Sequence, residues 1–518
     1  MRLFTSFLFA LLTLTLAAQN KRPDLEIIIG EEIKLKKKEL IDKIIGKDED
    51  GTYVMAKYGS EVTLFYYDND LNQKRKNSFK LEYQKHDLWY KGIVQMKDEF
   101  VLFTTYRDKK EKMTYLYSQM LDKESLTFSK PKVLAKASYE GYKKRQSARY
   151  SFTTSADSSY LLFVSDLPTN KDDKDKFGFI VYDNEMNEVW SEKELEVEEE
   201  EDDFYRYDMQ VGNDGKVYLL AKVYDSSRKY KRGEINYSFK MMVYDEEGEG
   251  EPEEFDVTLE GEHVTDITFE RLDNGQIQVA GFYSTDGYGQ NGVFNMLFDA
   301  DYTISNQSTT EFPTDFIVQH SSEKSKKKAK KKEAKGKEIE MYSYSIDALI
   351  ENKDATITMI AEQYYTYTTS YTDANGNTHY TTHYIYGNII IVKFDENGDV
   401  DWMELIPKRQ HSTDGGYYSG YALMQLQNGN LVFVFNDNPK NSYYDTSGKF
   451  YTWNPNKKNT DVVLFEISDE GQLGRYILYK GADEEVISRP YVSVPVSENE
   501  MIILGQARKA TKFVKLVF

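Results

Sequence analysis

His379 and His383 are the two histidines of this chain spaced closely enough in sequence to suggest a shared metal ion. On a strand, residues four apart share a face but lie about 13 Å from each other, too far to hold one ion. His86, His263, His320 and His411 stand in no His-Glu-x-x-His or related pattern, and the absence of cysteine excludes thiolate sites. Gly416-Tyr417-Tyr418-Ser419-Gly420 does not match a Gly-x-Ser-x-Gly nucleophile elbow. No glycine-rich loop leads from a strand into a helix to cradle phosphates. Asp68-Asn69-Asp70 opens like a calcium loop, yet the glycine and the distal glutamate are missing. The sequence therefore assigns no catalytic residue, no metal site and no cofactor. Carboxylate pairs for glycoside cleavage stay open, because 86 acidic residues leave many pairs and their spacing would be spatial.

The residues suited to binding are tyrosines and lysines. The segment 364–386 alternates Tyr and Thr around Asn375-Gly376 and reads as a long projecting hairpin. It is either a ribbon stabilised by its own cross-strand pairs or an arm whose Tyr365, Tyr367 and Tyr371 contact a glycan or protein. Tyr417, Tyr418 and Tyr421 lie near Tyr443, Tyr444 and Trp453 in sequence, candidates for an aromatic platform in a concave site. The insertion 321–340 carries Lys326, Lys327, Lys328, Lys330, Lys331 and Lys332 without apolar periodicity. Like charges at this density suggest a solvated, disordered segment, or an electrostatic tether to an anionic surface.

What positions these segments is a repeat. A strand ending in an aromatic or aliphatic residue runs into an acidic corner at Tyr67-Asp68, Tyr182-Asp183, Tyr244-Asp245, Phe298-Asp299 and Phe394-Asp395, with looser copies at Leu121-Asp122 and Ile467-Ser468. Each corner is preceded by a hairpin opening, among them Asp50-Gly51, Asp214-Gly215, Asn274-Gly275 and Asn428-Gly429. Eight such openings, each followed by two more strands, describe eight four-stranded units around an axis: an all-β fold of the β-propeller type. The final strand, 512–518, matches the third strand of an earlier unit, so the eighth unit lacks one strand. A spare strand within 25–35 can supply it, closing the ring with both termini and hiding an edge. Seven blades with one irregular unit is the alternative, and an array of separate sandwiches the third.

The resemblance to β-propellers covers nearly all of 19–518 as a single domain. The double glycines of kelch repeats, the Trp-Asp marks of WD repeats and sialidase-type Asp boxes are absent. The corner from Phe394 to Trp402 resembles those of quinoprotein-type blades, but the Trp recurs only at Trp190, so a quinone is not implied. The Ala-Gln-Asn boundary after the leader and the Tyr- and Lys-rich composition are similar to exported proteins of Bacteroidetes-type Gram-negative bacteria.

Residues 1–18 combine Arg2, a short apolar run and small residues before Gln19, the pattern of a signal peptide rather than a membrane span. The expected location is the periplasm or cell surface. Net charge is −20, and residues 323–338 hold a local +6, leaving −26 elsewhere, which argues against nucleic-acid binding. In a blade, first-to-second and third-to-fourth turns share one end of the fold. Here these are short, while the insertions 166–176, 225–236, 284–291, 364–386 and 436–459 and the links 313–342 and 408–421 fall at the other end. The expectation is a binding or scaffolding module that engages an envelope protein or glycan at that end. The alternative is a secreted carbohydrate-active hydrolase with carboxylates near the axis.

Overall fold

The structure, a computed structural model, describes residues 22–518 except 98, 139–148, 168–173, 201–202, 225–234, 249, 337–338, 414, 443–449 and 508–509. The proposed leader 1–18 and the candidates Tyr443 and Tyr444 lie outside the described residues. Among the described residues, eight sheets of four or five strands follow one another along the chain, beside a small ribbon of Glu82–Tyr83 with His86–Asp87. Sheet 1 is a meander of Leu40–Lys47, Gly51–Tyr58, Glu61–Asp68 and Gln73–Lys80, paired antiparallel in that order. Sheets 2 to 7 repeat this over 89–138, 149–200, 204–257, 263–311, 344–412 and 422–480. Sheet 8 holds Ile487–Ser488, Val494–Ser497, Glu500–Ala507 and Ala510–Val517, and its outermost strand is Glu26–Ile29 from the other terminus.

The middle strands are apolar throughout because both of their faces are buried. In Glu500–Ala507, Met501 and Ile503 pack towards sheet 7 while Ile502 and Leu504 pack towards sheet 1. The same division recurs around the molecule. Eight apolar clusters join sheets 1 and 2, 2 and 3, and so on to 7 and 8, and the last joins sheet 8 back to sheet 1. This cyclic packing makes the fold a propeller. Its closure is a strand pairing, with Glu26 opposite Val517 and Ile29 opposite Val514. Gly30 N–H donates to Phe513 O at 2.9 Å and Ile33 N–H to Thr511 O at 2.7 Å, extending the seam. Arg22 adds an ion pair to Glu466 of sheet 7 at 2.7 Å.

The acidic corners are self-capped turns. Asp395 Oδ1 accepts the N–H groups of Asn397 and Asp399, each at 2.9 Å, and Asp68 and Asp183 bind the equivalent amides. A short side-chain acceptor that satisfies its own turn is the reason Asp recurs there. Three residues on, the backbone is left-handed: Gly398 has φ of 81°, and a Cβ on it would meet Asn295 Nδ2 at 2.1 Å. The outermost strand of one sheet reaches a corner of the next. Ser308 Oγ donates to Gly398 O at 2.7 Å, and Arg75 donates to Lys123 O at 2.7 Å. The two recurrent tryptophans do the same work: Trp190 Nε1 donates to Gly215 O and Trp402 Nε1 to Asp469 O.

The lysine-rich insertion, expected to lack regular structure, is helical over Glu323–Glu333. Ser322 caps its first turn, Glu323 faces the positive end of the helix dipole and three lysines sit in the last turn. Lys has good helix propensity, Ala329 is buried, the helix packs beside Thr314–Ile317, and Lys330 reaches Asp315 there at 2.9 Å. Local capping and one docked side thus supply what like-charge repulsion opposes.

Deleting residues 22–30 uncovers the Ala510–Val517 edge and part of the sheet 8 to sheet 1 core. The expected result is a clear fall in Tm with concentration-dependent aggregation, read by calorimetry and light scattering. An unchanged Tm would show that the terminal strand is dispensable.

Candidate functional site

At the end opposite the corners, the links between sheets lead into the innermost strands. Three large aromatic side chains lie open there. Trp89 starts Trp89–Met96 of sheet 2 and is 72% exposed, Tyr205 is the second residue of Phe204–Val211 in sheet 4 at 59%, and Tyr491, between Ile487–Ser488 and Val494–Ser497 of sheet 8, is at 93%. Between the innermost strands of sheets 3 and 4 lies a cavity of about 550 Å³, lined by Arg149, Ser151, Thr153, Asp166, Tyr205, Arg206 and Tyr207 among others. Asp166 is gripped from both sides, by Arg149 at 2.9 Å and Arg206 at 2.6 Å. Arg206 also lies over the Phe177 ring, 4.7 Å from its centroid, which holds its fork in place. Tyr207, also in the lining, donates its hydroxyl to Asp266 Oδ1 of sheet 5. With Asp208 also in the lining, two guanidinium groups face two carboxylates, so the cavity wall is polar and balanced in charge.

None of these residues stood out in the sequence. Trp89, Arg149, Tyr205 and Arg206 each occur singly in the first residues of an innermost strand, Asp166 ends the strand opposite Arg149, and Arg206 joins them from the next sheet. A large aromatic residue at the polar start of an innermost strand was the available signal.

Among the described residues, those expected to form an aromatic platform are engaged elsewhere. Trp453 is fully buried, its Nε1 donating to Thr460 Oγ1 at 2.8 Å, so it offers no ring to a sugar. Tyr417 is half-buried beneath Arg489, whose guanidinium carbon lies 3.7 Å from the ring centroid, and its hydroxyl donates to Gln506 at 3.1 Å. Tyr421 donates to Asp347 Oδ2 at 2.6 Å and packs against Phe433. Tyr418 O accepts from Asn436 Nδ2, which also donates to Ser488 O. These residues fasten sheets 6, 7, 8 and 1 together from within, because Arg489 further donates to Ile41 O. At the centre of this network Lys408, with no exposed side-chain surface, sits 2.5 Å from Glu362 Oε1. Burial lowers the Lys408 ammonium and raises the Glu362 carboxyl, and each partner opposes the shift of the other.

The arm is formed as a hairpin. Ile357–Thr372 pairs with Thr378–Phe394 out to Thr372 opposite Thr378, and Gly376 takes φ of 83° in the turn. Tyr367 stacks on His383 at 4.5 Å and Tyr371 on His379 at 4.8 Å, while Tyr365 stays exposed beside them. His383 Nδ1 lies 2.9 Å from His411 Nε2, whereas His379 bonds Asp373 at 3.0 Å. The two histidines thus serve separate contacts, and no group of three metal-ligating side chains exists among the described residues. On the helix Glu323–Glu333 the lysines divide in two. Lys326 pairs with Glu323 and Lys330 with Asp315, while Lys327, Lys328, Lys331 and Lys332 are exposed.

Carboxylates also meet on the innermost strands. Burial, then the nearby charges of Glu351, Asp208 and Asp273, push the Glu270 carboxyl up to about 7. These residues come from sheets 4, 5 and 6 and the turn between, a grouping that only the ring produces.

No protein-family model matches the chain, and no curated protein matches it. Solved structures align over most of its length at low identity. The β-propeller domain of the trilobed protease from Pyrococcus furiosus covers 84% of this chain and 97% of its own at 10% identity, with a TM-score of 0.36. The WD40 domain of SCAP from fission yeast covers 95% and 98% at 8% identity and 0.38. An uncharacterized protein from Listeria monocytogenes covers 83% and 99% at 10% and 0.35. The propeller assignment stands on the strand order and the closed set of inter-sheet cores. Among the described residues, no helix is long and apolar enough to cross a membrane.

Lys408→Met leaves Glu362 as an uncompensated buried carboxylate and is expected to cost about 3–5 kcal/mol in denaturant unfolding. The double variant Lys408→Met/Glu362→Leu should recover most of that loss. Glu270 carries a pH signature. Its folded-state pKa lies above the ordinary 4.5, so folding disfavours its charged form. The penalty sets in as pH rises from about 4.5 and is complete above about 7. Glu270→Gln should therefore raise Tm at pH 8 and leave it nearly unchanged at pH 4.

Proposed function

We propose that this protein is an exported binding or scaffolding propeller that engages an envelope partner at the end carrying the inter-sheet links. The observation that carries this reading is the contrast between the two ends. One is tiled by short turns whose aspartates are spent on their own backbone. The other exposes Trp89, Tyr205 and Tyr491 on sheets 2, 4 and 8, with the Arg149–Asp166–Arg206 cavity among them. Aromatic rings and arginines are the residue types that dominate binding energy at interfaces. Their spread over three sheets suits a macromolecule with a wide footprint, a folded protein in preference to a small ligand. The leader at 1–18 supports delivery to the periplasm or cell surface, and the exposed lysines of Glu323–Glu333 supply peripheral attraction to an anionic surface at about 1 kcal/mol each near the charges.

The hydrolase reading draws on one observation, the Glu270 carboxyl held near 7 beside Asp208 and Glu351, a general-acid value. Release of reducing ends from envelope polysaccharide, lost in Glu270→Gln, would favour it.

The test is capture from envelope extract with the purified protein as bait, alongside a glycan array. Partner capture is expected to fall at least about tenfold in Trp89→Ala/Tyr205→Ala/Tyr491→Ala, with Tm unchanged, since central aromatic anchors cost about 2 kcal/mol or more each. Removing 324–335 should leave capture intact but abolish salt-sensitive association with anionic vesicles. Capture undiminished in the triple variant would place the partner elsewhere, and a hit on the array alone would make the partner a glycan.

A further inference from the structure

The arm grows out of sheet 6 and leaves its neighbours behind. Tyr344–Glu351, the strand beside Ile357–Thr372, ends opposite Gln363, so residues beyond it have no strand on that side. The last bond there is Tyr364 N–H to Ser343 O at 2.8 Å. It sets the phase of the edge, because alternate residues of a strand direct their amides the same way. Asp373 agrees with it, its N–H turning inward to Asn377 O at 2.9 Å. The N–H and C=O groups of Thr366, Thr368, Ser370 and Thr372 therefore point outward, where no strand pairs with them among the described residues. The opposite edge is partly covered, as Gln410–Ser412 pairs with Tyr384, Ile385 and Tyr386.

This edge also lacks a protection that most outermost strands have. Gln73–Lys80 has four basic residues, Glu253–Val257 three acidic ones, and Val400–Ile406 and Leu473–Lys480 two charges each, while Ile304–Glu311 carries only its terminal Glu311. Charged side chains on an edge are the usual defence against strand addition. Residues 364–372 read Tyr-Tyr-Thr-Tyr-Thr-Thr-Ser-Tyr-Thr, with no charge, proline or glycine, and they are exposed. A segment this rich in strand-forming residues, with open amides, is a template for pairing.

We infer that the outer edge of 364–372 pairs antiparallel with the same edge of a second copy, forming a symmetric dimer through a continuous four-stranded ribbon. The edge complements itself. Centred on Thr369, the outward residues Thr366, Thr368, Ser370 and Thr372 fall opposite Thr372, Ser370, Thr368 and Thr366 of the second copy. That register makes about eight hydrogen bonds. Tyr367 comes opposite Tyr371 of the second copy, and Thr369 opposite its own equivalent, on one face. The lack of charge explains why the partner is a second copy. With a net charge of −20 on each chain, two identical molecules meet at least electrostatic cost along a neutral strand held away from the body. An extended strand of another protein would use the same amides but would have no need of the self-matching register.

Size-exclusion chromatography with light scattering on the full-length purified protein should give the mass of a dimer. Thr368→Pro removes an outward N–H while sparing the inward ladder, and should give the monomer mass with unchanged circular dichroism and Tm. Thr368→Lys/Ser370→Lys, which sets lysines opposite each other across the dyad, should do the same without a backbone change. The chain has no cysteine, so Thr369→Cys should form a single disulfide-linked dimer under oxidising conditions. A wild-type monomer at every concentration overturns the inference, as does a dimer that survives both edge variants or fails to cross-link through Thr369→Cys. A monomer that instead binds an extended Thr-rich peptide, and loses it in Thr368→Pro, assigns the edge to a foreign strand and equally overturns it.

Discussion

The seam between Glu26–Ile29 and Ala510–Val517 is the constraint on which the rest depends. A ring of sheets packs each apolar face against a neighbour, so no sheet has a complete core alone. Opening the ring anywhere exposes two faces at once. A chain without cysteine has no covalent way to hold its ends, and the task falls to a few strand pairs, the Phe513 and Thr511 carbonyl contacts and the Arg22–Glu466 ion pair. Every position described around the axis presupposes that seam.

Closure also explains where polar groups are buried. Sheets 6, 7, 8 and 1 meet at the link-bearing end through Lys408, Glu362, Gln410, Asn436, Ser488 and Arg489 rather than through further apolar packing. Such groups are costly to bury unless they are paired, and each has a directional requirement that greasy contacts lack. They set the angle at which the links cross from one sheet to the next. The tyrosines around them are consumed in that role, which moves the open aromatic surface to Trp89, Tyr205 and Tyr491 and to the arm.

The two ends of the molecule therefore differ in chemistry for a mechanical reason. Third-to-fourth corners recur because one aspartate can cap a tight turn by itself, and Ser308, Trp190 and Trp402 on outermost strands brace turns of the next sheet. Links at the other end must span between sheets and have room to vary. The arm is the extreme case. It is long, and one edge of it is open and free of charge, where most other outer strands carry charged residues.

Strand order and the hairpin at 364–386 were legible in the residues, because Asn-Gly and Asp-Gly turns, acidic corners and apolar runs are local signals with local causes. So was the spare strand near residue 26, since a repeat that stops one strand short announces what it needs. Other features depend on neighbours that are distant in sequence. Trp453 looked like an accessible ring because its surroundings in sequence are polar, yet its environment is the interior between sheets. The lysine run looked unstructured because repulsion is visible in sequence while a docked Ala329 and a waiting Asp315 are not. Asp166 meets Arg149 across one hairpin of sheet 3, but Arg206 reaches it only because sheet 4 packs alongside. The sequence by itself determined the repeating unit and its turns, whose energetics lie within a few residues. The ring decided which side chains are buried, paired or left open, because burial and electrostatics are set by what lies across a sheet, not along a strand.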